Sequence, residues 1–429
     1  MTANEIAERL ESIRDAGCVL KRRTRRELIE TLGHVLNGWA DPNSHWRQAL
    51  VAKLPAATGL STPTVRSGLA AGLDHWTGEA LAELARRELG DNCLSGDPTD
   101  CALSGFDSTA VVLAGSIPMP TLLSLIAPLA LGSPVIAKTA TRDRVTPALV
   151  AESIAEVDSE LGRCVAIVDF VRADEASTKA LLEASCVCAT GSDGTIASLQ
   201  AQVRTPRRIV FDGHRLSVAA IGDPGGATED TARRLALDIA LWDQLGCLSP
   251  VVVYAVGVAD GRAKQSSELW ADRLADALAT ALASAEREWP RGEIDPASAR
   301  DIVRERSEAE LRAAAGHNVR VMASDSTAWT VVRENGPDLR PAPLHRFIRV
   351  APVADPAALA DALAPMGSHL AAIAVEGFGE QTPAVCRALA ALGASRICRP
   401  GTMQSPPIGW HHSGRGVLTS LARFSDIEC

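Results

Sequence analysis

The chain has 429 residues, of which 46% are hydrophobic, 22% charged and only 3% aromatic, with a formal net charge of −9. This length suggests two or three domains with substantial aliphatic cores, and the composition is ordinary for a soluble globular protein. The acidic balance argues against a general nucleic-acid binder but leaves room for a local basic pocket that takes a phosphorylated cofactor.

The ten cysteines have no regular spacing and form no Cys-x-x-Cys pair, so no metal site is expected. Cys186-Val187-Cys188 reads as two thiols on opposite faces of a strand. There is no basic-then-apolar leader, and no apolar run approaches the roughly 20 residues of a membrane span. Free thiols and a cytoplasmic location are the expectation.

Residues 1–95 read as helical. Leu28, Ile29, Leu32, Val35, Leu36 and Trp39 fall on one stripe, the 3.6-residue period of an amphipathic helix. Ser61-Thr62-Pro63 offers caps and a first-turn proline for a helix reaching residue 73, and residues 77–89 make another. The basic run Lys21-Arg22-Arg23-Thr24-Arg25-Arg26 reads as a solvated linker or helix start.

From about residue 105 the pattern changes. Strands over 108–115, 135–139, 164–171 and 186–190 alternate with helices over 121–131, 146–161, 176–184 and from 196, with a turn at 116–120. Such alternation predicts a doubly wound parallel sheet whose ligand lies at the carboxyl ends of the strands. Three loops fall there: 115–120, 138–142 and 191–195. In Gly191-Ser192-Asp193-Gly194-Thr195 the glycines permit close backbone approach. The helix start that follows favours an anion or a polar cofactor edge. The loop is not Gly-x-Gly-x-x-Gly, so it does not by itself imply a dinucleotide.

Beyond residue 209 a second α/β region begins. Helices are predicted over 231–242, 266–289, 296–315, 356–363 and 382–392, and strands over 251–256, 327–333, 345–353 and 370–375. The tail from Arg396 is rich in glycine and proline and reads as lacking a core element. It holds His411 and His412, which read either as touching cofactor or substrate or as exposed side chains. At one helix-to-strand joint stands Asp243-Gln244-Leu245-Gly246-Cys247-Leu248-Ser249-Pro250. A cysteine there, beside glycine and before Ser-Pro, is a candidate nucleophile that takes an acyl group. The competing reading is a small buried hydrophobe.

Taken together, these segments resemble the aldehyde dehydrogenase superfamily. The turn 115–120 is similar to its Pro-Trp-Asn loop. Gly132 through Lys138 is similar to its Gly-Asn-x-Val-hydrophobic-x-Lys segment, whose lysine binds the adenosine ribose. Thr190-Gly191-Ser192 is similar to its Phe-Thr-Gly-Ser turn, and Gln244-Leu245-Gly246-Cys247 to its nucleophile segment. Within the superfamily the chain resembles the acyl-CoA reductase family (LuxC type), typified by the reductase subunit of the bacterial bioluminescence fatty-acid reductase. The residues that carry this are Gly213-x-Arg215-x-Ser217, Asp243-Gln244-x-Gly246-Cys247-x-Ser249-Pro250, and Gly401-x-Met403-x-x-Pro406 with Trp410-His411-His412-x-Gly414.

The resemblance implies an α/β, aldehyde dehydrogenase-like fold. A helical N-terminal region (1–100) would pack on a doubly wound, parallel-sheet NADP-binding domain (101–212). An α/β catalytic domain (213–400) would carry the cysteine, and a tail (401–429) would return toward the active site. It implies Cys247 as catalytic nucleophile, and Gly115, Ser116, Lys138, Thr141, Arg142, Gly191 and Ser192 as cofactor-binding residues.

Departures from the family pattern set the expected reaction. Phe211, in Phe211-Asp212-Gly213-His214-Arg215, stands where hydrolytic relatives carry a water-activating glutamate. The glutamate of the later Glu-x-Phe-Gly-Pro motif is also absent near His345-Arg346-Phe347. Without that base an acyl-enzyme is not hydrolysed quickly. The expected reaction is therefore NADPH-dependent reduction of a fatty acyl thioester to the aldehyde through acyl-Cys247. Thr141 stands where NAD-preferring relatives carry a ribose-binding glutamate, and Arg142 beside it is able to pair with a 2′-phosphate. NADPH is expected, with NADH the alternative. The backbone N–H of Cys247 is the expected oxyanion donor, and His214 or a helix terminus the candidate activator of its thiol. Ile117-Pro118-Met119 lacks the asparagine that relatives use as a second donor. The expected partners are acyl-CoA or an acyl-carrier thioester, an acyl-transferase or synthetase, and further copies of the chain in a homo-oligomer. Two alternatives stand: a reductase of acyl phosphates similar to glutamyl-phosphate reductase, and a catalytically inactive subunit of an acyl-transfer complex.

Overall fold

The structure is a computed structural model that describes residues 1–95, 101–115, 117–223, 228–257 and 263–428. The chain divides into two compact units. Met1–Thr58, Leu69–His214 and Pro407–Cys429 form the first, and Gly59–Gly68 with Arg215–Pro406 the second.

The first unit opens with helices Ala3–Ala16 and Arg25–Ala40. Both start in capping boxes, Thr2 with Glu5 and Thr24 with Glu27, each satisfying two orphan backbone donors. The basic run is thus not simply a solvated linker. Thr24 caps a helix, and Arg23 pairs with Asp158 at 2.5 Å and Glu160 at 2.8 Å.

Six strands follow: β1 (Cys101–Ser104), β2 (Thr109–Val112), β3 (Val135–Lys138), β4 (Val165–Val168), β5 (Cys186–Thr190) and β6 (Arg208–Asp212). The last five make one parallel sheet in the order β4-β3-β2-β5-β6. The chain runs outward from β2 and then returns to its other side, so the topological switch point lies between β2 and β5. Ile6, Leu10 and Ile13 of the first helix pack against Ala110, Ile136, Ala166 and Val168 of this sheet. The N-terminal helix thereby covers one face.

Several local expectations are corrected here. The helix after β2 spans Pro118–Ala130 rather than starting at 121, because a proline in the first turn gives up no hydrogen bond. The helix after β5 spans Asp193–Gln200, capped by Ser192, and begins ahead of residue 196. Cys186 and Cys188 lie two apart in β5 and share a face, since strand side chains repeat with period two. Their contact, together with burial, pushes the Cys188 thiol up.

In the second unit β7 (Leu216–Gly222), β8 (Pro250–Val256), β9 (Arg320–Ala323), β10 (Thr330–Arg333), β11 (Phe347–Val353), β12 (Leu370–Glu376) and β13 (Arg396–Cys398) form one sheet. The order is β13-β12-β7-β8-β11-β10-β9, parallel except for β9 against β10. β7, β8, β11 and β12 are almost entirely buried and nearly all apolar, as a sheet covered on both faces requires. Their core includes Val218, Val252, Tyr254, Val353 and Ile373, with Leu359 and Leu389 from covering helices.

The tail is less irregular than its composition suggests. Arg396–Cys398 is the edge strand β13, and β14 (Arg423–Asp426) pairs antiparallel with β1, Ala102 opposite Ser425. Short polar strands are tolerated at edges, where few ladder bonds are demanded. Among the described residues no helix is long and apolar enough to cross a membrane.

Candidate active site

β8 is entered through a tight turn in which Ser249 N donates to Gly246 O at 3.0 Å. Cys247 and Leu248 are its central residues, and such a turn closes without using their N–H groups. Cys247 is exposed, whereas Leu248 and Ser249 are only 9% and 2% exposed. The cysteine is therefore presented rather than packed. Its carbonyl accepts a 2.6 Å hydrogen bond from Ser217 Oγ, which in turn accepts from Ala372 N at 3.0 Å. Ser217 is fully buried on β7. The β7–β8 register shifts between Ser217 and Val218, where this side chain stands between strand backbones.

A second set of bonds fixes the far side of the turn. Gln404 Nε2 donates to Ser249 Oγ and to Asp238 O, both at 3.0 Å. The Asp238 carboxylate accepts from Gly401 N at 2.6 Å and Met403 N at 3.0 Å. The Gly401-x-Met403 motif thus supplies two donors to one buried carboxylate. Burial pushes the Asp238 carboxyl up to about 7, against the pull of the Gly401, Met403 and Gln404 backbone and of Arg396.

The base of the turn is strained. Trp242, Asp243 and Gln244 have φ of +57°, +50° and +63°, a left-handed conformation costing L-residues roughly 1–2 kcal/mol each. Leu344, His345 and Arg346 repeat it at +63°, +55° and +66°, which is why the strand expected from 345 begins at Phe347. The two runs are tied together. Arg346 Nη2 meets Asp243 Oδ1 at 2.6 Å. Phe347 N donates to Gln244 Oε1 at 2.9 Å, and Gln244 Nε2 donates to Phe347 O at 3.0 Å and Pro250 O at 2.8 Å.

In the first unit, the other sequence-derived site residues collect at the carboxyl edge of the five-stranded sheet. Gly115, after β2, has φ +81° and nothing within 4 Å of where a Cβ would stand. Ser116 lies outside the described residues. Gly191 N, after β5, donates to Asp212 O at 3.1 Å. Ser192 caps the next helix, accepting from Thr195 N at 3.3 Å. These two loops border the switch point.

Lys138 ends β3, with Nζ 5.1 Å from the centre of the Phe170 ring, a cation–π arrangement. Burial lowers its pKa, opposed by Asp169 and reinforced by Arg144 and Arg172. Thr141 and Arg142 are exposed on the loop that follows. Arg144 pairs with Asp169 at 3.1 Å. An open glycine, the start of the helix Asp193–Gln200 and flanking cations form a donor set that fits a dinucleotide. Cys247 belongs to the other unit.

In the segment 211–215, His214 is exposed and its backbone N–H donates to Asp193 Oδ1 at 2.7 Å. Phe211 packs against Leu182, Val187, Ala189 and Leu199. The Asp212 carboxylate is held by Arg415 Nη2 at 2.6 Å and by Ser413 Oγ, with His412 Nδ1 at 3.4 Å. Burial pushes Asp212 up, but His412, Ser413 and Arg415 together hold it below the usual carboxylate range.

The profile of the acyl-CoA reductase (LuxC) family matches residues 21–424. The chain belongs to this acyl-CoA reductase family. Solved structures with the same fold include an NADP-dependent glyceraldehyde-3-phosphate dehydrogenase from Bacillus halodurans complexed with NADP. It is 14% identical at TM-score 0.73, over 99% of this chain and 91% of that one. An NAD-dependent benzaldehyde dehydrogenase from Corynebacterium glutamicum is 13% identical at TM-score 0.72, over 100% of this chain and 91% of that one. An NAD-dependent aldehyde dehydrogenase from Sinorhizobium meliloti is 14% identical at TM-score 0.71, over 100% and 87%. At these identities the likeness establishes the aldehyde dehydrogenase fold. No curated protein matches the chain. Family and fold together support an oxidoreductase of aldehyde-level chemistry.

Some residues of this acyl-CoA reductase family member have roles that the sequence did not reveal. Ser217, Gly401 and Met403 stand in family motifs, but only the fold shows what they touch. Asp238, Gln404 and Arg346 carried no signal, because their partners lie 57 to 166 residues away along the chain. The tail is fastened by Glu88, which accepts from the N–H groups of Val417, Leu418 and Thr419 at 2.8, 2.8 and 3.0 Å. His411 is exposed, and His412 stands edge-on to Trp410 at 5.0 Å.

Proposed function

We propose that this chain reduces acyl thioesters to aldehydes through an acyl-Cys247 intermediate, with NADPH as cofactor. The observation that carries the reading is an exposed cysteine on a buried, hydrogen-bonded turn, in a chain of the acyl-CoA reductase family.

Cys247 sulfur attacks the thioester carbonyl carbon, and the new carbon–sulfur bond leaves an oxyanion near the turn. The N–H of Cys247, which the turn leaves out of its own hydrogen bond, is the donor for that charge, typically worth about 3 kcal/mol. The carrier thiol departs and the acyl group stays on Cys247. NADPH, when bound, supplies the hydride that takes the acyl carbon to the aldehyde level. Gly115, Lys138, Thr141, Arg142, Gly191 and Ser192 are the residues that hold it, with the first unit as cofactor domain and the second as catalytic domain. Cys247 sulfur then leaves as the aldehyde forms. Phe211 and the pinned Asp212 provide no base for water, so the acyl group survives until it is reduced. The absence of an acid at Thr141, with Arg142 beside it, favours the 2′-phosphate of NADPH over NADH.

The test offers acyl-CoAs of several lengths and an acyl phosphate, follows NADPH and NADH oxidation, and weighs the intact protein. The expected outcome is an acyl adduct on the wild type. Cys247→Ala should abolish it and lower turnover by at least about 10³-fold. Turnover that survives this change sinks the nucleophile. Preference for the acyl phosphate points to the other reductase reading. Neither adduct nor turnover points to an inactive subunit. A clear preference for NADH overturns the cofactor assignment.

A further inference from the structure

The strained runs beneath the cysteine are a feature that the reaction above does not use. Among the described residues seven non-glycine positions have positive φ, and six of them lie in 242–244 and 344–346. None of the six is asparagine or glycine. Such backbone persists only where surrounding contacts over-determine it, and it gathers at functional sites. Here the determining contacts are buried. Asp243, Gln244 and Arg346 are 2%, 0% and 1% exposed. Asp243 Oδ2 takes Gly292 N at 2.9 Å while Oδ1 takes Arg346. Arg346 Nη1 reaches Glu286 and Trp289 O, both at 2.7 Å. Gln244 bonds Pro250 O as well as Phe347, so one side chain spans both ends of the turn that holds Cys247.

We infer that Asp243 and Arg346 are positioning residues for the nucleophile: their ion pair locks two left-handed segments together and so fixes where Cys247 points. Neither residue handles substrate in this scheme. Arg346 acts through Asp243, and the 344–346 run acts through Gln244. The inference rests on Cys247 being the acylated residue. Without the pair, the turn relaxes toward ordinary backbone and the thiol leaves its line of attack.

The experiment uses the full chain, wild type and the variants Asp243→Asn and Arg346→Lys. Three quantities are read: the rate of acylation of Cys247 by acyl-CoA, the rate of its alkylation by iodoacetamide, and the hydrogen-exchange protection of β8 and β11. The expected result is an acylation rate about 100-fold lower, since small misplacements at a reacting atom cost that much. Alkylation, which needs an accessible thiolate but no aligned acyl carbonyl, stays within about threefold, and protection is kept. Gln244→Met, which removes the bonds to Phe347 and Pro250 without changing charge, serves if the charge variants do not fold, and acylation falls there too. Unchanged acylation in folded variants overturns the inference. So does a fall that only tracks lost protection, which marks a structural role. Absence of acylation in the wild type itself overturns the proposed function and this inference with it. Wild-type acylation that the substitutions leave intact overturns the inference alone.

Discussion

The turn that carries Cys247 and the strand ends that carry Lys138, Thr141 and Arg142 follow different plans. Around the cysteine nearly every neighbour is buried and bonded: Ser217 holds its carbonyl, Gln404 holds Ser249, and Asp243 and Gln244 form a strained base. At the edge of the five-stranded sheet, Thr141, Arg142 and Ser192 are exposed and Gly115 faces open space. A reacting atom gains from being fixed to a fraction of an ångström. A dissociable cofactor gains from an accessible edge with charge rather than packing. Among the described residues backbone strain sits under the first region and not along the second, which is the distribution expected if only one of them must aim.

That contrast is most exposed to failure at Asp238. Its carboxyl is pushed up to about 7 by burial, from an unfolded value near 3.9. The native protein therefore holds a proton that the unfolded chain has released between about pH 4 and 7. Stability from this group is fully present below that window and is lost as pH rises through 7, by a few kcal/mol. Denaturant titrations from pH 5 to 8 should show that slope, and Asp238→Asn should flatten it. An unchanged slope in the variant separates Asp238 from the bracing of the turn.

Ser217→Ala comes next in size. It orphans a buried N–H at Ala372 and frees the Cys247 carbonyl, a cost of about 1–3 kcal/mol. Acyl-CoA turnover should fall roughly 10- to 100-fold with KM for the thioester little changed, and Ser217→Thr should recover part of it. The smallest effect belongs to the open side. Arg142→Ala should weaken NADPH use by roughly fivefold to tenfold and leave NADH use as it was, an exposed charge pair being worth about 1 kcal/mol. Tryptophan-quenching titrations with the two cofactors measure it. A loss equal for both cofactors removes Arg142 from the 2′-phosphate.

What could be read in the chain follows the same division. The parallel sheets were legible because apolar strands such as Val135–Lys138 and Pro250–Val256 alternate with amphipathic helices. The turn that presents Cys247 was legible because Gly246 and Ser249-Pro250 flank it, and the carboxyl edge of the first sheet was legible as three loops after three strands. The bracing was not legible. Trp242, Gln244 and Leu344 have no preference for left-handed backbone, and contacts more than 100 residues away in sequence impose it. Local pattern also hid β9, β13 and β14, edge strands with no buried residue and so no continuous apolar run. It misplaced the helix start at Pro118, where two prolines read as a turn.

The pairing of β1 with β14 joins residues 101–104 to residues 423–426, and its consequence lies in synthesis. The first unit is discontinuous, and Arg215–Pro406 emerge from the ribosome between its halves. At translation rates of about 5–20 residues per second, that insertion takes roughly ten to forty seconds. Through that interval Glu88 and Asp212 stand without the tail that later covers them, and β1 without its partner. The second unit has all its strands before then. A released chain that ends at Pro406 should therefore contain both large sheets but lack the β1–β14 pair, and the full chain should complete the first unit.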